Sequence, residues 1–187
     1  MKSIGFKRRR KALTNYRHRL ALVKGSMDRI AVRKTNKRII AQVIRYEEKG
    51  DKVLMQLDSS ALSSYEWHPR SNRASAYLTG LMLARKVLKD AKAKDAEYIL
   101  DIGLSSPVRN SIPFMFARGC VDGGLKLRSG IETDDKVFDI ASEYAKKLKE
   151  EDEAKYNKQF SKYIKDGVQP TALNELFAKA KERILKE

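Results

Sequence analysis

Five consecutive cations, Lys7-Arg8-Arg9-Arg10-Lys11, stand near the start of the chain, and Tyr16, Arg17, Arg19 and Lys24 follow soon after. A second group, Arg33-Lys34-Thr35-Asn36-Lys37-Arg38, sets four cations around two small polar residues. Lys and Arg engage phosphate oxygens and release the counterions condensed on a polyanion, so runs of this kind are built for binding rather than for bond-making. Met1 to Gly50 hold sixteen Lys and Arg against Asp28, Glu47 and Glu48, a net +13 of the whole-chain +16, which leaves +3 for the other 137 residues. Charge stacked at one end asks for a polyanion, whereas charge spread evenly would serve solubility alone. The two candidates are nucleic acid and an acidic membrane surface. A membrane role needs a basic helix with a clean apolar face, which residues 1–28 do not supply.

Other chemistry is thinly represented. There is no GxxxxGK[ST] phosphate loop, no GxGxxG and no His-x-x-x-His pattern. Cys120 is the single cysteine and only His18 and His68 accompany it, so neither an internal disulfide nor a Cys/His zinc cluster can form, and a reducing, cytoplasmic setting is the simplest reading. Cys120 falls on an expected helix among Phe116, Ala117 and Val121, which suits a small core residue better than a nucleophile. Asp101 and Asp122 could be imagined as paired metal-binding carboxylates, but phosphoryl chemistry usually needs more converging acids than this region offers. No cofactor and no metal site is expected. The longest nearly apolar run, Tyr77 to Ala84, is far short of a membrane span, and the N-terminus lacks the apolar stretch of a secretory signal.

The elements that must carry these residues follow from periodicity. Residues 1–28 hold too few apolar side chains for a core of their own and read as an arm that orders on its partner, with one helical turn near Tyr16 to Lys24. From Arg29 the pattern is β: Arg29 to Arg33, Ile39 to Tyr46 and Val53 to Leu57 form a meander, with a tight turn at Lys34-Thr35-Asn36-Lys37 in which Asn36 can take a positive φ. Arg29, Arg33, Lys34, Lys37, Arg38 and Arg45 would point outward. Ser59 to Arg73 reads as a loop carrying Tyr65, Trp67 and His68. Two roles stay open for Trp67: stacking on a base beside Arg70 and Arg73, or folding back as a cap on the core. Ser71 or Asn72 can cap a helix over Arg73 to Lys94, and Tyr98 to Leu104 is a nearly continuous apolar strand. A second helix opens at Ser111-Ile112-Pro113 and ends at Gly123-Gly124 with a left-handed glycine. Leu125 to Gly130 reads as a short basic connection, where the apolar body ends. Beyond it, Glu/Lys-rich amphipathic stripes predict helices that pack on the domain or on a partner protein. The divisions expected are 1–28 as a basic arm, 29–130 as a small mixed α/β domain and 131–187 as a helical extension.

Three of these stretches carry a resemblance. Arg33 to Gln42 between two strands, Ala76-Tyr77-Leu78-Thr79-Gly80-Leu81 in a helix, and Val121-Asp122-Gly123-Gly124-Leu125 closing a later one resemble the 5S rRNA-binding protein family of the large ribosomal subunit, number eighteen in the universal series. The charged helical C-terminus is similar to the archaeal and eukaryotic type, and the likeness covers about residues 10 to 187. It implies a small mixed α/β fold with ribonuclease H-like translational-component topology, no catalytic activity, and a cytoplasmic place in the large subunit. It also implies that the arm and adjoining sheet clamp 5S rRNA and help tether it to large-subunit rRNA in the central protuberance, among neighbouring large-subunit proteins. Carried over by position, Lys7 to Lys11, Tyr16, Arg17, Arg19 and Lys24 on the arm and Arg33 to Arg38 on the hairpin would be the contacts. His68 to Arg73 is more basic than the family pattern, which adds Trp67, Arg70 and Arg73. The rivals are a metal-dependent RNA-processing enzyme using Asp101 and Asp122, and a non-specific nucleic-acid-binding protein.

Overall fold

A computed structural model describes residues 4–90, 96–130 and 140–186. Strands β1 (Asp28–Lys34), β2 (Ile39–Arg45) and β3 (Lys52–Asp58) form the expected antiparallel meander. Thr35 closes the first turn. Its N–H donates to the Arg38 carbonyl at 2.8 Å, and its hydroxyl donates to that carbonyl and accepts from the Arg38 N–H, both at 2.9 Å. Among the described residues the positive-φ ones other than glycine are Ala12, Ser26, Glu66 and Asn110, so the turn does not use Asn36 in the way expected; the threonine side chain does that work by mimicking a backbone turn.

The loop expected from Ser59 is instead a 3-10 helix over Ser59–Tyr65, started by Asp58, whose carboxylate accepts from the Ser60 N–H at 2.8 Å. Helix α3 (Arg73–Leu88) is capped by Asn72, whose side-chain oxygen accepts from the Ser75 N–H at 2.9 Å. It ends six residues before the expected Lys94, and residues 91–95 lie outside the described set. Strand β4 (Glu97–Asp101) stops short of the expected Leu104 because Gly103 turns the chain at φ +65°. Helix α4 (Ile112–Asp122) has Pro113 in its first turn and finishes on Gly124, φ +98°, with the Leu125 N–H reaching back to the Cys120 carbonyl at 3.0 Å. The connection expected at Leu125 to Gly130 contains a further strand, β5 (Lys126–Arg128). Three residues, two of them basic, carry no readable periodicity, and only the parallel pairing with β4 makes them a strand. The sheet order is β3-β2-β1-β4-β5, with β1, β4 and β5 parallel.

One sheet face is the core. Ile30, Val32, Ile39, Ala41, Val43, Leu57, Tyr98 and Leu100 point into it, against α3 and α4. Every residue of α3 from Ser75 to Ala84 is buried, as suits a helix with the sheet, α4 and the C-terminal helix around it. Two glycines bring α3 and α4 backbone to backbone: a Cβ on Gly80 would lie 2.1 Å from the Phe116 carbonyl oxygen, and one on Gly119 2.0 Å from that of Tyr77.

The C-terminal part comprises α5 (Ile140–Glu151), α6 (Glu153–Gln159), α7 (Ser161–Lys165) and α8 (Leu173–Lys186). Ala145, Leu148 and Tyr156 form a small cluster of their own beside Phe160. The apolar body does not end near Gly130 as expected: Val168, Leu173, Ala180 and Ile184 belong to the main core, and Phe177 meets Trp67 and Tyr77 at ring distances of 6.1 and 5.6 Å.

Candidate nucleic-acid interface

The basic arm is more ordered than an extended segment with a single turn. Lys7–Arg10 is one short helix, α1, and Tyr16–Lys24 is a second, α2, capped by Asn15, which accepts from the His18 N–H at 3.1 Å. At about 100° per residue, the four cations of α1 radiate around its axis with no acid among them, a repulsive arrangement that only an anion relieves. Arg8 donates to the Thr14 hydroxyl at 2.8 Å, and Tyr16 packs on Phe6 with ring centroids 5.2 Å apart. Lys7, Arg9, Arg10, Lys11, Arg17 and Lys24 are exposed and have no carboxylate partner among the described residues.

A chain of alternating charges ties the arm to the sheet. Arg19 on α2 meets Asp51 at 2.9 Å, Asp51 meets Arg29 on β1 at 2.8 Å, Arg29 meets Asp101 on β4 at 3.5 Å, and Asp101 meets Arg33 at 3.1 Å. Arg33 also donates to the Asp101 backbone carbonyl at 2.7 Å. Arg29 was expected to point outward from the hairpin. It does lie on the sheet face away from α3 and α4, yet it is only 4 % exposed, because the arm and these two aspartates cover it. Between arm and sheet runs a cleft of about 590 Å³, lined by Arg8, His18, Arg19, Arg29, Arg33 and Lys34 among others. Asp51 and Asp101 were not singled out as its supports from sequence. Asp101 pairs in register with Ala31, midway between Arg29 and Arg33, and only the β1–β4 pairing shows it.

At the hairpin tip Lys34, Asn36 and Lys37 are exposed without side-chain partners among the described residues, while Arg38 is 3.4 Å from Asp58. The Thr35 hydroxyl is engaged in the turn, and its carbonyl accepts from Ser71 Oγ at 2.6 Å. Arg45 makes a two-point pair with Asp28, at 3.0 and 2.8 Å. Trp67 is 3 % exposed, its indole N–H donates to Ser75 Oγ at 2.9 Å, and its ring has no free face for a base; the core-cap reading is the one the structure supports. Arg70 turns toward α7, where its guanidinium pairs with Asp166 and sits 5.1 Å from the centre of the Tyr163 ring. Arg73, the first residue of α3, is exposed.

The imagined carboxylate pair is not assembled. Asp101 closes β4 and is held by Arg29 and Arg33; Asp122 closes α4, which runs back along the sheet to its other end, and there accepts from the Tyr77 hydroxyl at 2.7 Å. Cys120 is fully buried, and burial pushes its thiol well above the ordinary range, as suits packing rather than attack. Among the described residues no helix is long and apolar enough to cross a membrane.

A rigid α/β platform with unneutralised cations on an arm and on a hairpin tip defines a polyanion-binding protein. Residues 3–98, which span the arm, the meander, α3 and the start of β4, match the family described as ribosomal large subunit proteins 60S L5 and 50S L18, and the chain belongs to that family. It is therefore a large-subunit ribosomal protein of the L18 type, an rRNA-binding component of a cytoplasmic particle.

Proposed function

We propose that this chain binds 5S rRNA, helps attach it to the large-subunit rRNA in the central protuberance beside neighbouring ribosomal proteins, and does so as a structural component without catalysis. The observation that carries the reading is the set of exposed cations without a carboxylate partner among the described residues, Lys7, Arg9, Arg10, Lys11, Arg17, Lys24, Lys34 and Lys37, presented by an arm and a hairpin that one charge network holds to a single sheet. The arm over residues 1–28 supplies most of the affinity through counterion release. The folded part from residue 29 to 130 supplies fixed geometry, and the extension from 131 faces neighbouring components. RNA is the partner proposed rather than duplex DNA because the matched family is one of ribosomal large-subunit proteins.

The test is competition binding with 5S rRNA as probe against transfer RNA, a generic hairpin RNA and duplex DNA. A preference for 5S rRNA of about two orders of magnitude exceeds what phosphate charge alone produces and supports the reading; equal competition by all four overturns it. Replacing Arg8, Arg9 and Arg10 together with alanine should lower the slope of log affinity against log salt by about 2 to 3 units.

A further inference from the structure

On the flank of the sheet a groove of about 400 Å³ runs between the β1–β2 turn and α7. One wall carries Lys37 and Arg38, the other Lys162 and Lys165, and Arg70 and Asp166 lie between them. Loop residues 70–72 fasten both walls. Ser71 donates to the Thr35 carbonyl at 2.6 Å and so holds the turn. Arg70 donates to the Lys162 carbonyl at 3.3 Å and to the Asp166 carboxylate, and Asn72 donates to the Tyr163 hydroxyl at 3.2 Å. The groove is thus a built feature rather than a gap between loosely placed parts.

Its charge is not balanced internally. Asp166 is taken up by Arg70, and Arg38 has Asp58. Lys37, Lys162 and Lys165 are exposed and without a carboxylate partner among the described residues. Three ammonium groups held around one groove repel each other until an anion enters. The residues that line the groove include no aromatic side chain, so it offers point charges and no stacking face. Such a surface follows a sugar–phosphate backbone and does not read bases.

We propose that this groove is a second RNA contact, separate from the arm: Lys37, Lys162 and Lys165 engage the phosphates of one strand of structured rRNA, and Arg70 acts as the positioning residue that holds the α7 wall in place. The inference rests on the rRNA-binding reading above and adds to it a site whose α7 wall lies outside the matched residues 3–98. The phosphates could belong to 5S rRNA or to large-subunit rRNA, so both are used as probes.

Salt-dependent filter binding of the full-length chain would compare four variants: Lys162→Ala with Lys165→Ala, Arg70→Lys, the control Lys146→Ala with Lys147→Ala on exposed positions of α5, and the arm triple variant. Two phosphate contacts correspond to a slope change of about 2 units. The groove pair should show that change with one of the two RNAs, and the α5 control none. Arg70→Lys, which keeps the charge but loses the planar fork, should reproduce the loss with native circular dichroism. A groove pair that leaves the slope unchanged with both RNAs, while the arm variant lowers it, overturns the groove and leaves the rRNA reading intact. Equal losses from the groove pair and the α5 control also overturn it. If the wild type shows no preference among RNAs and neither arm nor groove alters the slope, the rRNA reading falls and the groove with it.

Discussion

Replacing Gly119 by alanine should force apart the two helices at the centre of the fold. The added Cβ would sit 2.0 Å from the Tyr77 carbonyl oxygen and 3.0 Å from the Leu81 nitrogen. Comfortable carbon contacts lie near 3.5 Å, so α3 and α4 must separate by about 1.5 Å, enough to forfeit about half or more of the dispersion attraction along their contact. Overpacking of this kind costs about 1–3 kcal/mol and more where nothing yields. Here the obstacle is backbone, which no rotamer change can move, so the upper end applies, and the better helix propensity of alanine offsets only about 1 kcal/mol. The net loss is about 2 kcal/mol or more, a fall in Tm of about 4–8 °C for a chain of this length. Gly80→Ala, whose Cβ meets the Phe116 carbonyl at 2.1 Å, should behave alike. The double variant should cost much less than the two together, since one separation accommodates both methyls. Gly25→Ala is the control, because its Cβ meets the flexible terminal methyl of Met27 at 3.3 Å and the Leu22 carbonyl oxygen at an ordinary 3.6 Å, and its φ of −72° suits any residue. Differential scanning calorimetry of the four proteins decides the matter. A Gly119→Ala protein as stable as the Gly25→Ala control would refute the reasoning.

Asp101→Ala should cost about 1–3 kcal/mol in urea unfolding, because the buried Arg29 guanidinium is left with Asp51 alone and Arg33 loses its carboxylate; a loss below about 0.5 kcal/mol would mean that Asp51 alone satisfies Arg29. Tyr77→Phe should change the alkaline limb of the stability curve. Burial, and then the Asp122 carboxylate, raise the Tyr77 pKa above its ordinary value, so the native protein keeps a proton that the unfolded chain gives up. That contribution is complete below pH of about 10 and is lost as pH rises from there toward the native value. The wild-type urea midpoint should therefore fall more steeply above pH of about 10 than that of Tyr77→Phe, and parallel limbs would contradict the assignment.

How far the sequence carried the fold depended on how local the physics was. The meander, α3 and α4 announce themselves through period-two and helical spacing and through Asn72, Pro113 and the closing glycines, all of which act within a few residues. Elements that exist only through distant partners were not legible. β5 is three residues that become a strand because β4 lies beside them, and the 3-10 helix at Ser59–Tyr65 is set by a short Asp58 cap inside a serine-rich stretch that reads as loop. The candidate site divides in the same way. Cations on the arm and the hairpin tip were visible as charge runs. That Arg29 is buried, that Arg70 faces α7 and that Trp67 packs on Phe177 depend on contacts between residues far apart in the chain.

Around the sheet and the groove, arginines and lysines take largely different roles. On the folded body Arg29, Arg33, Arg38, Arg45 and Arg70 each face an aspartate, and Arg19 carries the same pattern onto the arm. A planar fork gains most where a carboxylate is fixed to receive it, so a guanidinium next to a rigid sheet becomes a clamp. Lys34, Lys37, Lys162 and Lys165 have no such partner among the described residues and keep hydrated, movable charges at the surface. Among the described residues, guanidiniums without a carboxylate partner include Arg9, Arg10 and Arg17 on the arm and the exposed Arg73 at the start of α3. A weakened complex after loss of Arg33 therefore reports first on a loosened β1–β4 edge, with Asp101 left short of a partner, whereas the same weakening after loss of Lys34 reports on a phosphate. Stability measured beside affinity separates the two.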